Sequence, residues 1–124
     1  MARSLANFYV DVLQELGVAG PDRAVSAEDL QVVTDLYPAV WQLLEAEGLT
    51  NWLQSGSIPD KAVIPMRWIV AYHCAVSFGL RGDRLMQLQE RGQIGGPAPS
   101  LGEKMLAKQR AAEYIPSILA NDYY

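Results

Sequence analysis

Cysteine and histidine are almost absent from this sequence. Its 124 residues include one of each, Cys74 and His73. A single cysteine cannot form an internal disulfide, so the chain suits a reducing compartment and is not a disulfide-stabilised secreted scaffold. The two residues are neighbours on a predicted helix, where their side chains diverge by about 100°. Ligands on one helix converge at a spacing of three or four residues, so this pair does not predict a metal site.

Sequence templates for common enzymes are also missing. Adjacent helical positions cannot direct a histidine base at the neighbouring thiol. The stretch GQIGGPAPSLGEK is glycine-rich but lacks the order of Gly, Lys and Ser or Thr in a phosphate-binding loop. We therefore expect no enzymatic activity, no catalytic or metal-binding residues and no cofactor. Cys74 is interpreted as an inert buried thiol, and His73 as a hydrogen-bonded core or interface residue.

No long hydrophobic run is free of charge and proline. The longest, residues 62–80, contains Pro65 and Arg67. A central arginine costs about 2.5–3.5 kcal/mol on membrane-insertion scales, so we interpret this run as a buried helix of a soluble protein. Asp11 and Glu15 interrupt the apolar part of the N-terminal stretch, which is unlike a secretory signal.

Basic residues are scarce in the first half of the chain. Residues 1–60 contain two basic and nine acidic residues, whereas residues 61–124 contain eight basic and five acidic residues. An acidic half and a basic half favour head-to-tail contact between copies. A DNA-reading protein typically has a concentrated basic patch, whereas this chain has a net charge of −4.

Amphipathic helical patterns account for most of the sequence. The predicted helices cover residues 2–16, 26–48, 60–79 and 83–91. Pro38 lies inside the second pattern and is expected to kink the helix or split it at Tyr37. Apolar residues occupy almost every side of the third, which predicts a central helix. The sequence thus predicts an all-α fold without a strand pair: a compact bundle of four to five helices around a central apolar helix, with an extended C-terminal arm.

Local signals refine the ends of these helices. Ser26 is the expected N-cap of the second helix. Arg81-Gly82-Asp83 is interpreted as a glycine stop followed by Asp83 as the next N-cap, because adhesion through this tripeptide would need an extracellular loop. Trp52 and Leu53, between the second and third helices, are expected to pack onto the core.

The C-terminal part of the chain differs in composition. We predict a helical domain at residues 1–92, followed by a linker and docking arm at residues 93–124. GQIGGPAPSLG is a linker by composition, and Pro116 ends or bends the helix that follows it. The candidate partner-binding residues are the apolar and aromatic side chains of the arm: Tyr114, Ile115, Ile118, Leu119, Tyr123 and Tyr124.

Two interpretations of this arm stay open. It could fold back over its own core, or it could dock on a neighbouring protein. We favour docking, because tethered and exposed aromatic side chains would otherwise promote aggregation, and tyrosine is enriched at interfaces.

Three segments together resemble a known family. They are LANFYVDVLQELGVAG, DLYPAVWQLLEAEGL and SIPDKAVIPMRWIVAYHCAVSFGL. They resemble the small helical head-to-tail connector proteins of tailed bacteriophages, also called head-completion or tail-accessory adaptor proteins. The likeness covers about residues 5–90, with a looser likeness in the tyrosine-ended tail. The residues that carry it are Leu16-Gly17-Val18, Trp41, Leu43, Leu44, Ile58-Pro59-Asp60 and Phe78-Gly79-Leu80.

The resemblance implies a structural virion protein located in the neck, at the head-tail junction, and assembled in the host cytoplasm. Such proteins form a ring, here expected to be dodecameric, between the portal and the tail. The implied partners are the portal protein, neighbouring copies and the next tail or neck protein, with no membrane. DNA would pass through the lumen without specific binding. The alternative is a cytoplasmic helical regulator or adaptor that binds a single partner protein, and an enzyme is the third possibility.

Overall fold

Helices make up most of the described part of the protein. The computed structural model describes residues 2–18 and 25–109. Its helices are α1 (Leu5–Glu15), α2 (Ala27–Ala46), α3 (Asp60–Ala75), α4 (Gly82–Gly92) and α5 (101–109). A 3-10 helix (Val76–Phe78) follows α3, and two short strands, β1 (Ala2–Arg3) and β2 (Ile58–Pro59), are also present. The predicted all-α class is confirmed, whereas the arm beyond residue 109 lies outside the described residues.

Helix α3 occupies the centre of the bundle, as its composition predicts. It contacts α1, α2 and α4. Its buried residues are Ala62, Pro65, Met66, Ile69, Val70, Ala71, Cys74 and Ala75. A helix that is apolar on nearly every side is stable in water only when other elements surround it, so the neighbouring helices are arranged around α3.

Three aromatic rings join α1 to α2. The ring centroids of Phe8 and Tyr9 each lie 5.8 Å from that of Tyr37, in edge-to-face geometry. The Tyr37 hydroxyl accepts a hydrogen bond from Trp52 Nε1 at 3.2 Å, so Trp52 lies near the core as predicted. Burial raises the pKa of Tyr37 to about 12. The phenol is therefore protonated at neutral pH and acts as a structural group.

Helix α2 continues through Pro38, so of the two predicted outcomes, a kink or a split at Tyr37, the split is wrong. Proline lacks an N–H and cannot bond to the carbonyl four residues earlier. Buried side chains on both sides of it, Tyr37 and Val40, hold the helix against the core, and this packing offsets the missing bond. At the start of α2 the predicted N-cap is confirmed, because Ser26 Oγ accepts a hydrogen bond from the Asp29 N–H at 3.0 Å.

A strand pair is present that the sequence did not predict. β1 and β2 pair antiparallel, with Ala2 opposite Pro59 and Arg3 opposite Ile58. Strands of two residues are too short to show an alternating pattern, so periodicity could not reveal them. Because β1 occupies the first residues, α1 begins later than predicted, after the N-cap Ser4.

Two further local predictions are wrong. Leu53 does not pack onto the core, since 76% of its surface is exposed. It lies in a non-helical connector, where no periodic pattern distinguishes buried from exposed positions. Asp83 is not an N-cap: α4 begins at Gly82, and Asp83 lies in its first turn. A carboxylate there favours the positive end of the helix dipole without capping an N–H group.

Ion pairs connect α1 to basic residues elsewhere in the chain. Asp11 accepts two hydrogen bonds from the Arg3 guanidinium, at 2.8 and 2.9 Å. The Glu15 carboxylate lies 3.4 Å from Arg84 and 3.9 Å from Arg67. Arg84 also donates to the backbone carbonyl of Glu15, where a cation complements the C-terminal end of the helix. Part of the charge asymmetry of the sequence is therefore neutralised inside one chain.

Candidate functional site

The six candidate partner-binding residues lie outside the described residues. They are Tyr114, Ile115, Ile118, Leu119, Tyr123 and Tyr124. The structure does describe the base of this segment. The base consists of α5, the residues against which α5 packs and the surface next to residue 109. That base decides where the arm starts and how firmly it is attached.

A capping box starts α5. Ser100 Oγ accepts a hydrogen bond from the Glu103 N–H at 3.3 Å, and Glu103 Oε1 accepts one from the Ser100 N–H at 3.1 Å. Both residues are buried. The spacing Ser-x-x-Glu is a known signature of a helix start. The interpretation of GQIGGPAPSLG as a linker by composition missed this signal.

Helix α5 packs closely against α3 and the end of α4. A Cβ atom on Gly102 would lie 2.7 Å from the Arg91 carbonyl oxygen and 2.9 Å from Ile69 Cγ1, so a larger residue would push α5 away. One turn later, Leu106 is buried and belongs to the hydrophobic core. Helix α5 is thus attached to the same core as residues 1–92.

Gln109 marks the end of the described chain. Its side-chain amide donates a hydrogen bond to the backbone carbonyl of Lys61, in the first turn of α3. Lys61, Lys104 and Lys108 are exposed. The N–H groups at the start of α3 add partial positive charge. The described chain therefore ends beside the N-terminal end of the central helix, whose first turn also carries the exposed Asp60.

Two carboxylates and an imidazole come together near the start of α5. Glu47 follows α2, Glu103 lies in α5, and His73 lies near the end of α3. Partial burial raises the pKa of Glu47, and the hydrogen bond to Glu103 and its negative charge raise it further. Burial lowers the pKa of His73, against the opposing effect of the Glu103 carboxylate. Glu47 and His73 are thus both within electrostatic reach of Glu103, the buried acid of the capping box.

Replacing Glu47 with glutamine should stabilise the protein at neutral pH. A carboxyl whose pKa is raised on folding contributes stability below its unfolded pKa and loses it as pH rises through the folded pKa. Glutamine does not titrate, so Glu47→Gln should raise the free energy of unfolding at pH 7 by at most about 1 kcal/mol, since the site is largely exposed. Below about pH 4 the difference from the unmodified protein should vanish.

Urea unfolding between pH 4 and pH 8 measures this effect. Glu45→Gln is the matched control, because it removes the same charge from an exposed position in the last turn of α2. If the two variants show the same pH dependence, the pairing of Glu47 with Glu103 has no energetic role.

His73 and Cys74 do not form a reactive pair. Cys74 is a free, buried thiol, as expected, and burial raises its pKa to about 12, so the thiolate is negligible at neutral pH. His73 packs edge-to-face against Tyr72, with ring centroids 5.1 Å apart. The expected hydrogen bond is not made at its Nε2 atom, which is buried without a partner.

The described residues were compared with three other kinds of functional feature: a metal site, a membrane-spanning helix and a groove. Within residues 2–18 and 25–109, no group of three or more His, Cys, Asp or Glu side chains is arranged to hold a metal ion. None of the helices in this part of the chain is long and apolar enough to cross a membrane. An open groove of about 340 Å³ lies between the end of α4 and the loop before α5. Its lining residues are Gln89, Glu90, Gln93, Pro97, Ala98, Pro99 and Ser100.

Comparisons with protein-family models, with curated proteins and with solved structures found no match.

Proposed function

We propose that this protein is a structural head-to-tail adaptor of a tailed bacteriophage, which forms a ring between portal and tail and extends the DNA channel. It acts in the virion neck after assembly in the host cytoplasm. Residues 110–124 dock on the portal protein, and the helical bundle contacts neighbouring copies and the next tail or neck protein. The proposal rests on the resemblance of residues 5–90 to such connectors and on the way α5 is attached.

The attachment of α5 is the structural observation that carries the proposal. A docking arm transmits force to its domain only when its first helix is fixed to the core. Three contacts fix α5: the capping box at Ser100, the close approach of Gly102 to α3, and the burial of Leu106. The last described residue, Gln109, is hydrogen-bonded to the Lys61 carbonyl, and the candidate residues follow it in the sequence.

The charge of α2 supports passage of DNA without binding. Glu28, Asp35 and Glu45 are exposed on this helix, and α2 contains no basic residue. Non-specific affinity for DNA comes mainly from contacts between basic side chains and phosphates. An acidic helix surface repeated around a ring would repel the DNA backbone.

Removing residues 110–124 should weaken binding to the portal protein. A chain that ends at Gln109 keeps α5 and the buried Leu106, so its bundle remains packed. We expect the affinity for portal rings of the same phage to fall at least about tenfold, because a few buried anchors supply most of an interface's binding energy. Pull-down with purified portal rings and electron microscopy of the complex measure the loss.

Point variants test whether portal binding needs the apolar side chains of the arm and not only the presence of the arm. Ile118→Asp should weaken portal binding, whereas Ser117→Asp introduces the same charge at a neighbouring polar position and should not. Unchanged binding by the shortened chain would show that the arm does not dock on the portal. A full-length chain that ignores the portal but binds one protein from phage-free bacterial lysate would favour the regulator alternative.

A further inference from the structure

The first turns of α3 carry an exposed apolar surface. Ile64 is 47% exposed, although Ala62, Pro65 and Met66, all within two positions of it, are buried. Helix α4 does not cover it, because α4 ends at Gly92, which packs against the backbone of Trp68 and Ile69 one turn further along α3. An exposed isoleucine on the central helix of a bundle therefore results from where α4 stops.

Trp68 extends this surface. It lies four residues after Ile64, on the same face of α3. It is half-buried but is not part of the core cluster. The Arg91 guanidinium lies 5.6 Å from the centre of its ring. Ile64 and Trp68 together are called the α3 patch below.

The described chain ends next to the α3 patch. Gln109 is hydrogen-bonded to the carbonyl of Lys61, which is three residues before Ile64 and hence on a neighbouring position of the same helix face. Residues 110–124 start at this point. Their side chains are rich in the apolar and aromatic types that would cover an isoleucine and an indole.

We propose that the α3 patch is the docking site for residues 110–124 of the same chain while the protein is free of partners. A short connection gives the segment a millimolar effective concentration at the patch, so its own chain outcompetes a second copy at ordinary protein concentrations. The arm is held against α3 until a partner displaces it.

The proposed contact between the arm and the α3 patch would limit self-association of the free chain. Apolar side chains of the arm and of the α3 patch would each promote self-association if they were left in water. When they cover each other, both are removed from water. The inference concerns the free chain and does not depend on which partner the arm later binds.

Nuclear magnetic resonance of the isotope-labelled full chain tests the contact directly. We expect nuclear Overhauser effects between the Ile64 methyl groups and aromatic or isoleucine protons of residues 110–124. Ending the chain at Gln109 should shift the Ile64 methyl and Trp68 indole resonances. Absence of these effects, together with unchanged resonances in the shortened chain, would overturn the proposal.

Matched variants test whether the α3 patch is what holds the arm in place. Ile64→Lys should release the arm. Its backbone amides would then show the low heteronuclear nuclear Overhauser effect values of a flexible segment. Leu43→Lys makes the same change at a residue on α2 that is 52% exposed, and the arm should stay in place. Equal release by both variants would contradict docking at Ile64.

A mixed sample distinguishes contact within one chain from exchange between chains. In an equimolar mixture of labelled and unlabelled protein, isotope-filtered spectra should show no contact between Ile64 and residues 110–124. Intermolecular contacts in that spectrum would overturn the intramolecular proposal in favour of exchange between copies. Portal binding is measured in a separate experiment. A failure of docking at the α3 patch can therefore be told apart from a failure of the proposed portal binding.

Discussion

Replacing Gly92 with alanine should destabilise the protein by about 3 kcal/mol. A Cβ atom at this position would lie 2.3 Å from the Trp68 carbonyl oxygen and 2.8 Å from the Ile69 Cα atom. Both are backbone atoms of the central helix, which cannot rotate away as a side chain could. Overpacking of a core contact typically costs about 1–3 kcal/mol, and a backbone clash lies at the upper end of this range.

Equilibrium unfolding in urea measures this change. Gly56→Ala is the matched control, because its Cβ atom would meet its nearest neighbour, the Leu53 carbonyl oxygen, at an ordinary 3.4 Å. That substitution should be neutral or slightly stabilising, since alanine restricts the unfolded chain more than glycine does. Equal unfolding free energies for the two variants would show that α4 does not need its close approach to α3.

Truncating Phe8 should have a still larger effect. Phe8 is fully buried and packs edge-to-face against Tyr37, so Phe8→Ala leaves a cavity between α1 and α2. Removal of a buried phenylalanine side chain typically costs about 3–5 kcal/mol. We expect the free energy of unfolding, measured in urea with circular dichroism, to fall by this amount.

The neighbouring position provides the comparison. Asn7 precedes Phe8 on α1 and is exposed, so Asn7→Ala should change the free energy of unfolding by less than about 0.5 kcal/mol. A loss below about 1 kcal/mol for Phe8→Ala would mean that the contact between α1 and α2 is not part of the cooperative core.

Much of the bundle could be predicted from residue patterns. The apolar character of residues 62–80 placed α3 at the centre, because a helix without a polar face must be surrounded. Ser26 marked the start of α2, because its side chain can cap an N–H group whatever the rest of the fold does. Both signals are local, and the structure confirms both.

The incorrect predictions concern effects that act over longer distances. The pairing of β1 with β2 depends on a contact between residues far apart in the sequence. Helix α2 tolerates Pro38 because of packing against other helices, which a local rule about proline does not include. Leu53 shows that an apolar residue in a connector can remain in water.

The base of the candidate site could have been found in part. Ser100 and Glu103 carry a recognisable capping box, and the glycine- and proline-rich composition around them concealed it. The fit of Gly102 against Ile69 carries no comparable signal, since a glycine in sequence does not reveal which backbone approaches it. The six candidate residues of the arm stay a prediction.

The sequence by itself determined the helical class, the central helix and the uneven distribution of charge, because these follow from composition and from periodicity along one chain. Only the tertiary structure decided which of the charged side chains pair with each other. Glu15 is paired with Arg67 and Arg84 of the same chain, so these groups are already partly neutralised within it. The tertiary structure likewise decided that Ile64 is exposed and that Gln109 contacts the first turn of α3, since the first depends on where α4 ends and the second on how α5 packs.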